Sequence, residues 1–373
     1  MGDLNRRRQR TAAVAKAART AIILPGLFGF LLFFVTDAQA AGFAVFGTFA
    51  HLVMTNYDPQ RKKRLVQVVT LTFCGDVMIA WGTAVSMWLW LAVLSACVVA
   101  FTTQTASLFR ESIAASRTVV LLAFMLAVTS PGSPVNVVPR LGGWVLSGVV
   151  ALPVILVTWI SFGLVNPAQS TTHAASTPAP ALADEPDAGW GRGFRGLSRS
   201  VQATLDTQPA WFANSARAAV AMGLAALIAG VFKLEHGFWI ALGILPVLRA
   251  GDTAGARTFL QEQGGTLAGF MSSAVLVALV GSHREVYWIA LPMTAFVAAY
   301  VSTAVGFVAG QAAFTLFVVV LLNILTSLGY RAGILRLEDI AIGGAISLVL
   351  GAVYRTHRGL GLVSAPRQHP RTF

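Results

Sequence analysis

The sequence predicts an all-α polytopic membrane protein, with about twelve transmembrane helices arranged as two parallel six-helix repeats. Three observations carry this: a composition too apolar for water, a series of apolar runs separated by short polar breaks, and a set of residues that recurs at a fixed offset. Of 373 residues, 56% are hydrophobic and only 11% charged, whereas soluble chains carry roughly a quarter charged residues. With a mean hydropathy of +0.70, both a soluble globular enzyme and a disordered chain are excluded.

Apolar runs suited to crossing a bilayer fall near 20–36, 39–55, 65–83, 86–104, 117–134 and 141–164, then near 214–232, 237–249, 264–281, 286–304, 307–328 and 338–355. The 237–249 run is short and the 286–328 stretch has a soft internal boundary, which brackets the number of spans at about ten to twelve. The chain divides into a basic cytoplasmic N-terminus (1–19), a first membrane half (20–164), a largely disordered cytoplasmic linker (165–212), a second membrane half (213–356) and a short cytoplasmic tail (357–373). The linker is rich in Ala, Ser, Thr and Pro over Ser170–Ala183. A basic helix around Phe194–Leu205 is one reading of its second part, continued disorder the other.

Charge sets the orientation. With the N-terminus inside, all of the 27 Lys and Arg fall on the cytoplasmic side except Arg140, Lys233, Arg284, Arg331 and Arg336. The positive-inside rule gives that asymmetry for a bacterial inner-membrane protein with both termini cytoplasmic. The net charge of +12 is therefore a topology signal, and no concentrated basic face suggests nucleic acid as a partner. Arg6–Arg10, the apolar run to Val35 and Ala38-Gln39-Ala40 imitate a cleavable secretory signal. Its counterpart in the second half argues that the segment is retained.

That counterpart belongs to an internal repeat. Arg19 aligns with Arg217, Gly42-Phe43 with Gly237-Phe238, Arg61 with Arg257, and Thr72 to Gly75 with Thr266 to Gly269. Arg140-Leu141 and Gly148 align with Arg336-Leu337 and Gly344. An even number of spans per half relates the halves by a pseudo-two-fold along the membrane normal, with a substrate path at their interface.

At these anchors the chain resembles the fusaric acid resistance protein-like family of bacterial aromatic acid exporters, with the plant aluminium-activated malate transporters as remoter relatives. The second half carries the likeness: Arg217, His236-Gly-Phe-Trp239-Ile-Ala-Leu, Thr253 to Arg257, Gly265-Thr266 with Gly269, and Arg336-Leu-Glu-Asp339 followed by Gly343-Gly344. Two departures stand out. The linker and tail are short where many family members carry soluble domains, and Gln261 or Gln263 stands where a basic residue often precedes the Gly-Thr. The resemblance implies organic, aromatic carboxylates as the substrate class. The leading reading is their proton-coupled export, with an uncoupled anion channel of the malate-transporter type as the alternative. An inside-negative potential of ~150 mV already drives a monovalent anion outward by about 3.4 kcal/mol.

Candidate residues follow from the cost of charge in hydrocarbon, about 2.5–3.5 kcal/mol at a helix centre. Asp76, midway along the third span, reads as the one buried carboxylate and as a proton carrier; a structural acid bonded within the bundle is the other reading. Arg140 and Arg336 occupy matched positions, where two guanidinium groups facing a pseudo-axis would clamp a carboxylate; snorkelling, or pairing of Arg336 with Glu338 and Asp339, is the alternative. Phe43 and Trp239 lie on the second and eighth spans, which Gly42, Gly47, Gly243 and Pro246 interrupt, and would offer ring faces to an aromatic substrate. His51 is a candidate proton shuttle beside its plainer role as a core histidine. Gly265, Gly269, Gly306 and Gly310 read as helix-packing glycines.

The motifs of a P-loop, a zinc hydrolase and a serine hydrolase are missing. The expectation is a chain that is not an enzyme and uses no cofactor and no metal. Its partners are the lipid bilayer, a small organic anion, and either further copies of itself or a periplasmic adaptor subunit.

Overall fold

The computed structural model describes residues 2–58, 60–107, 111–130, 136–162, 211–234, 236–281 and 283–359. The expected linker, its basic helix and most of the tail lie outside the described residues. Everything ordered into regular structure there is helix. The first half comprises α1 (Gly2–Phe30), α2 (Ala38–Phe49), α3 (Arg61–Val85), α4 (Leu89–Ala106), α5 (Glu111–Thr129) and α6 (Val137–Phe162). The second comprises α7 (Trp211–Val231), α8 (Phe238–Arg249), α9 (Ala254–Val280), α10 (Arg284–Ala304), α11 (Phe307–Leu325) and α12 (Arg331–Gly359). Among the described residues nine helices are long and apolar enough to cross a membrane. Three shorter apolar helices, Ala38–Met54, Ser116–Thr129 and Phe238–Arg249, complete the series.

Their outward faces carry Phe73, Trp81, Leu94, Met271, Leu279, Ile289 and Met293, all exposed. So much apolar surface is tolerated only against lipid, and the chain is a multi-pass membrane protein.

Local chemistry marks the joints. Asp37 caps α2, its carboxylate accepting from the Ala40 amide at 2.9 Å. Before it α1 loosens into a π-helical turn at Leu31–Val35, and α2 ends in another at Ala50–Met54. Gly306, at φ 144, makes the tight break between α10 and α11 that a side chain would strain.

The structure adds one thing to the reading of the eighth and ninth spans. Helical hydrogen bonding runs on from Phe238 to Val280, yet the chain does not run straight. Gly243 lies against Ile340, and Phe259 lies against Gly344 one turn along the same partner helix. In a straight helix those two positions would be about 24 Å apart. The chain therefore turns sharply between α8 and α9, and both pack on α12.

Packing follows a reciprocal pattern. Within the first half α2 lies on α6 and α3 on α5; within the second, α8 lies on α12 and α9 on α11. Between halves, α1 packs on α10, with Phe28 5.4 Å from the Trp288 ring, while α7 packs on α4. Thr105 Oγ1 donates to Ser215 Oγ at 3.0 Å in the latter contact, and Gly223 admits Cys97. The first helix of each set thus rests on the fourth helix of the other. As expected, Gly265 and Gly269 let α9 reach the α11 backbone at Val308 and Ala312, and Gly310 lies against Ser302. Gly306, expected to pack likewise, meets no atom within 4 Å and serves the turn instead.

Candidate substrate site

A pocket opens where the two halves meet. Its walls come from α2 and its π-helical turn (Phe46, Phe49, Ala50, Met54), α5 (Val119, Leu122, Ala123, Leu126), Trp144 of α6, Phe238 and Leu242 of α8, and Phe314 of α11. About 420 Å³ of space is unfilled, including the part open to the exterior. The walls are almost wholly apolar. Rings meet across the seam: Phe46 stands edge-on to Phe238 at 4.9 Å, and Phe49 lies 4.7 Å from Phe314.

Behind one of those rings, Phe314, lies a polar compartment. The Arg336 guanidinium sits over Trp239 at 4.4 Å and over Phe314 at 4.7 Å, held between aromatic faces. Phe314 is a pocket wall, and Trp239 touches the wall residue Phe46 at 6.0 Å. Arg336 Nε donates to Thr315 Oγ1 at 3.0 Å and Nη2 to Gln311 Oε1 at 3.4 Å, while Nη1 is buried without a partner. Gln311 Nε2 donates in turn to Glu262 Oε1 at 3.4 Å. Glu262 and Asp339 are the negative charges that act on Arg336.

Arg140 repeats the motif with a different outcome. It sits over Phe43 at 5.3 Å, as Arg336 sits over Trp239, with both residues of the pair displaced by the same number of positions. Every nitrogen of Arg140 is engaged: Nε with Gln39 Oε1, Nη1 with Thr83 Oγ1 and the Ala127 carbonyl, Nη2 with the Ser130 carbonyl. The structure thus places the two arginines in separate polar compartments, each engaged within its own half. One face of each of the Phe43 and Trp239 rings is covered by a guanidinium group.

His51 is fully buried in the π-helical turn of α2. Its Nδ1 lies 3.1 Å from the Tyr57 hydroxyl and its Nε2 3.3 Å from Thr72 Oγ1. The Thr72 hydroxyl already donates to the Val68 carbonyl, so it accepts from Nε2–H, and Tyr57 donates to Nδ1. Burial pushes the Tyr57 phenol well above its usual range, which keeps its proton in place. His51 is not itself a pocket wall; its ring lies 6.1 Å from that of the wall residue Trp144. Asp76 lies on α3, half-buried, with Oδ1 shielded and unpartnered. It lines neither the pocket nor the Arg336 compartment.

The expectation that Asp76 is the one buried carboxylate is corrected: Glu262 is 0% exposed and Asp339 6% exposed. The polar run Gln261-Glu262-Gln263 ahead of Gly264 reads as a loop, but helix α9 already begins at Ala254. The signal that finds Glu262 is helical spacing, because Glu262, Thr266 and Ser273 are all fully buried and Gly269 lies on the same face. Gln311 and Phe314 are likewise visible only once α11 faces α9 and α12.

Among the described residues no cluster of three His, Cys, Asp or Glu could hold a metal ion. Residues 224–350, containing Trp239, Glu262, Phe314 and Arg336, match the family model for fusaric acid resistance protein-like proteins. No curated protein and no solved structure matches the chain. The family match bears out the resemblance read from the second half and, with the apolar helices, marks a transmembrane transport protein.

Proposed function

We propose that the chain is an inner-membrane exporter of organic, aromatic carboxylic acids, coupled to protons, with both termini cytoplasmic. The observation that carries this reading is the placement of an aromatic pocket against a stacked, incompletely bonded arginine. Phe46, Phe49 and Phe314 are wall rings against which a planar substrate would pack, each such contact worth about 0.5–1.5 kcal/mol beyond its buried area. The open Nη1 of Arg336 supplies a charge-assisted donor for a carboxylate that turns past Phe314. In this reading Arg140 and Phe43 hold the corresponding position of the first half in shape, and Asp76 carries the proton. The reciprocal packing of α1 on α10 and α7 on α4 supports two parallel six-helix repeats about a pseudo-two-fold, with the pocket on their seam.

The test is uptake of labelled 4-hydroxybenzoate into inside-out vesicles, with pH gradient and potential imposed separately. Coupled export gives uphill accumulation under the pH gradient alone, abolished by a protonophore. Flux that follows only the potential refutes coupling and makes the protein an anion channel. The variant Phe46→Ala raises the KM for 4-hydroxybenzoate by about 2- to 12-fold, the equivalent of one ring contact, and leaves acetate flux unchanged. No aromatic flux under either condition overturns the substrate class.

A further inference from the structure

Glu262 has no role in that scheme, yet it lies in the compartment that holds Arg336. It is 0% exposed, and Arg336 is 1% exposed. Gln311 stands between them, its amide nitrogen donating to Glu262 and its oxygen accepting from Arg336. Each charged group keeps one buried, unpartnered atom: Oε2 of Glu262 and Nη1 of Arg336. Thr266 Oγ1, one turn along the same face of α9 as Glu262, is also buried without a partner. The compartment is therefore built with more polar capacity than the protein itself uses, which is the mark of a place for a further polar group.

The charges around it are few. Helix α12 brings Arg336 and Asp339, helix α11 contributes no titratable residue, and α8 has none before Arg249 at its end. A guanidinium keeps its charge in any protein environment, and a buried charge has to be balanced. With no substrate bound, Glu262 across Gln311 and Asp339 on α12 are the acids that face Arg336. A substrate carboxylate on Nη1 would add a further negative charge to these two around one positive. A proton from solvent on Glu262 cancels the added charge and turns the side chain from an acceptor into an O–H donor.

We propose that Glu262 is a tethered counter-anion of Arg336, released by protonation when an organic anion takes its place, so that anion binding takes up one proton at this site. This rests on the reading of Arg336 as the anion site. It places a proton-responsive group in the second half, beside the substrate and apart from Asp76.

The experiment is calorimetric binding of benzoate, and separately of formate, to the purified full chain in buffers of different ionisation enthalpy. That comparison counts protons directly. The wild-type protein takes up about one proton per anion, and the benzoate Kd tightens by up to tenfold per pH unit lost within the titration range of the site. Glu262→Gln binds with no proton uptake and a Kd independent of pH, whereas Glu262→Asp keeps the uptake. Thermal transitions of both variants establish that they are folded; should Glu262→Gln fail to fold, the proton count and pH slope of the wild type and of Glu262→Asp decide. Benzoate or formate binding to the wild type without proton uptake overturns the proposal. Undiminished uptake in Glu262→Gln does so as well, and so does failure of both anions to bind intact wild-type protein. Formate binding with proton uptake, in a protein that transports no aromatic acid, leaves this switch standing and removes only the aromatic substrate class.

Discussion

Replacing each of the two matched arginines by lysine separates a structural guanidinium from a binding one. Arg140 spends its three nitrogens on four bonds, to Gln39, Thr83, Ala127 and Ser130. A lysine ammonium is a single point that cannot span acceptors arranged around a planar fork. At least two charge-assisted bonds are lost in Arg140→Lys, each worth about 1.5–3 kcal/mol, so the variant is destabilised by roughly 3–6 kcal/mol. Arg336 makes two side-chain bonds, one of them long at 3.4 Å, and lies between two rings. Arg336→Lys keeps a cation over Trp239 and loses the second ring face, a change of about 2 kcal/mol. Unfolding in detergent, followed by denaturant titration, therefore places Arg140→Lys well below Arg336→Lys. Benzoate binding orders them the other way, with Arg336→Lys at least tenfold weaker and folded Arg140→Lys near wild type. Equal stability losses, or a larger binding loss in Arg140→Lys, would refute this division and restore a symmetrical clamp.

Two other outcomes follow from the same geometry. Gly343→Ala drives a methyl group into the Ile240 carbonyl and parts α8 from α12, whereas Gly264→Ala meets no atom within 4 Å; thermal unfolding should show the first strongly destabilised, by about 1–3 kcal/mol, and the second unchanged. Asp76→Asn should abolish accumulation driven by a pH gradient while leaving benzoate binding and its proton uptake intact, because Asp76 lies outside the Arg336 compartment; vesicle flux with calorimetry checks both, and loss of proton uptake in this variant would reassign the binding-linked proton.

The spans were legible because burial in lipid demands long apolar runs and tolerates little else. The polar site was not legible for the same reason, since polar residues there look like span ends. Gln261, Glu262 and Gln263 fall just before Gly264, so composition alone ends the membrane segment at that point, although α9 starts at Ala254. Arg336 was visible because its partner position in the first half is also arginine. Which of the pair is saturated depends on Gln39, Thr83 and two carbonyls that only the folded bundle brings together. The apolar runs predict a break across 250–263; the chain turns between α8 and α9, but α9 starts at Ala254 and the helical bonding continues through the turn.

The difference between the halves has a direct consequence for transport. Across the pocket the halves touch through rings, Phe46 with Phe238 and Phe49 with Phe314. Each such contact contributes only about 0.5–1.5 kcal/mol beyond its buried area, less than a charge-assisted hydrogen bond, and can be exchanged for a contact with a substrate ring. The flanking contacts of α1 with α10 and α4 with α7 include small-residue approaches, Gly29 beneath Trp288 and Gly223 beneath Cys97, that fix two helices face to face. Movement that opens the pocket is therefore expected along the aromatic seam, with the flanking pairs as pivots. Arg336 is tied to that seam by its stacking on Phe314 and Trp239, while Arg140 is tied to the interior of its own half. A charge that rides on the moving surface can present an anion alternately to either side; one locked into four bonds cannot. In the proposed scheme the asymmetry therefore lies in the second half, where Glu262 shares a compartment with the member of the matched arginine pair that keeps a buried nitrogen unpartnered.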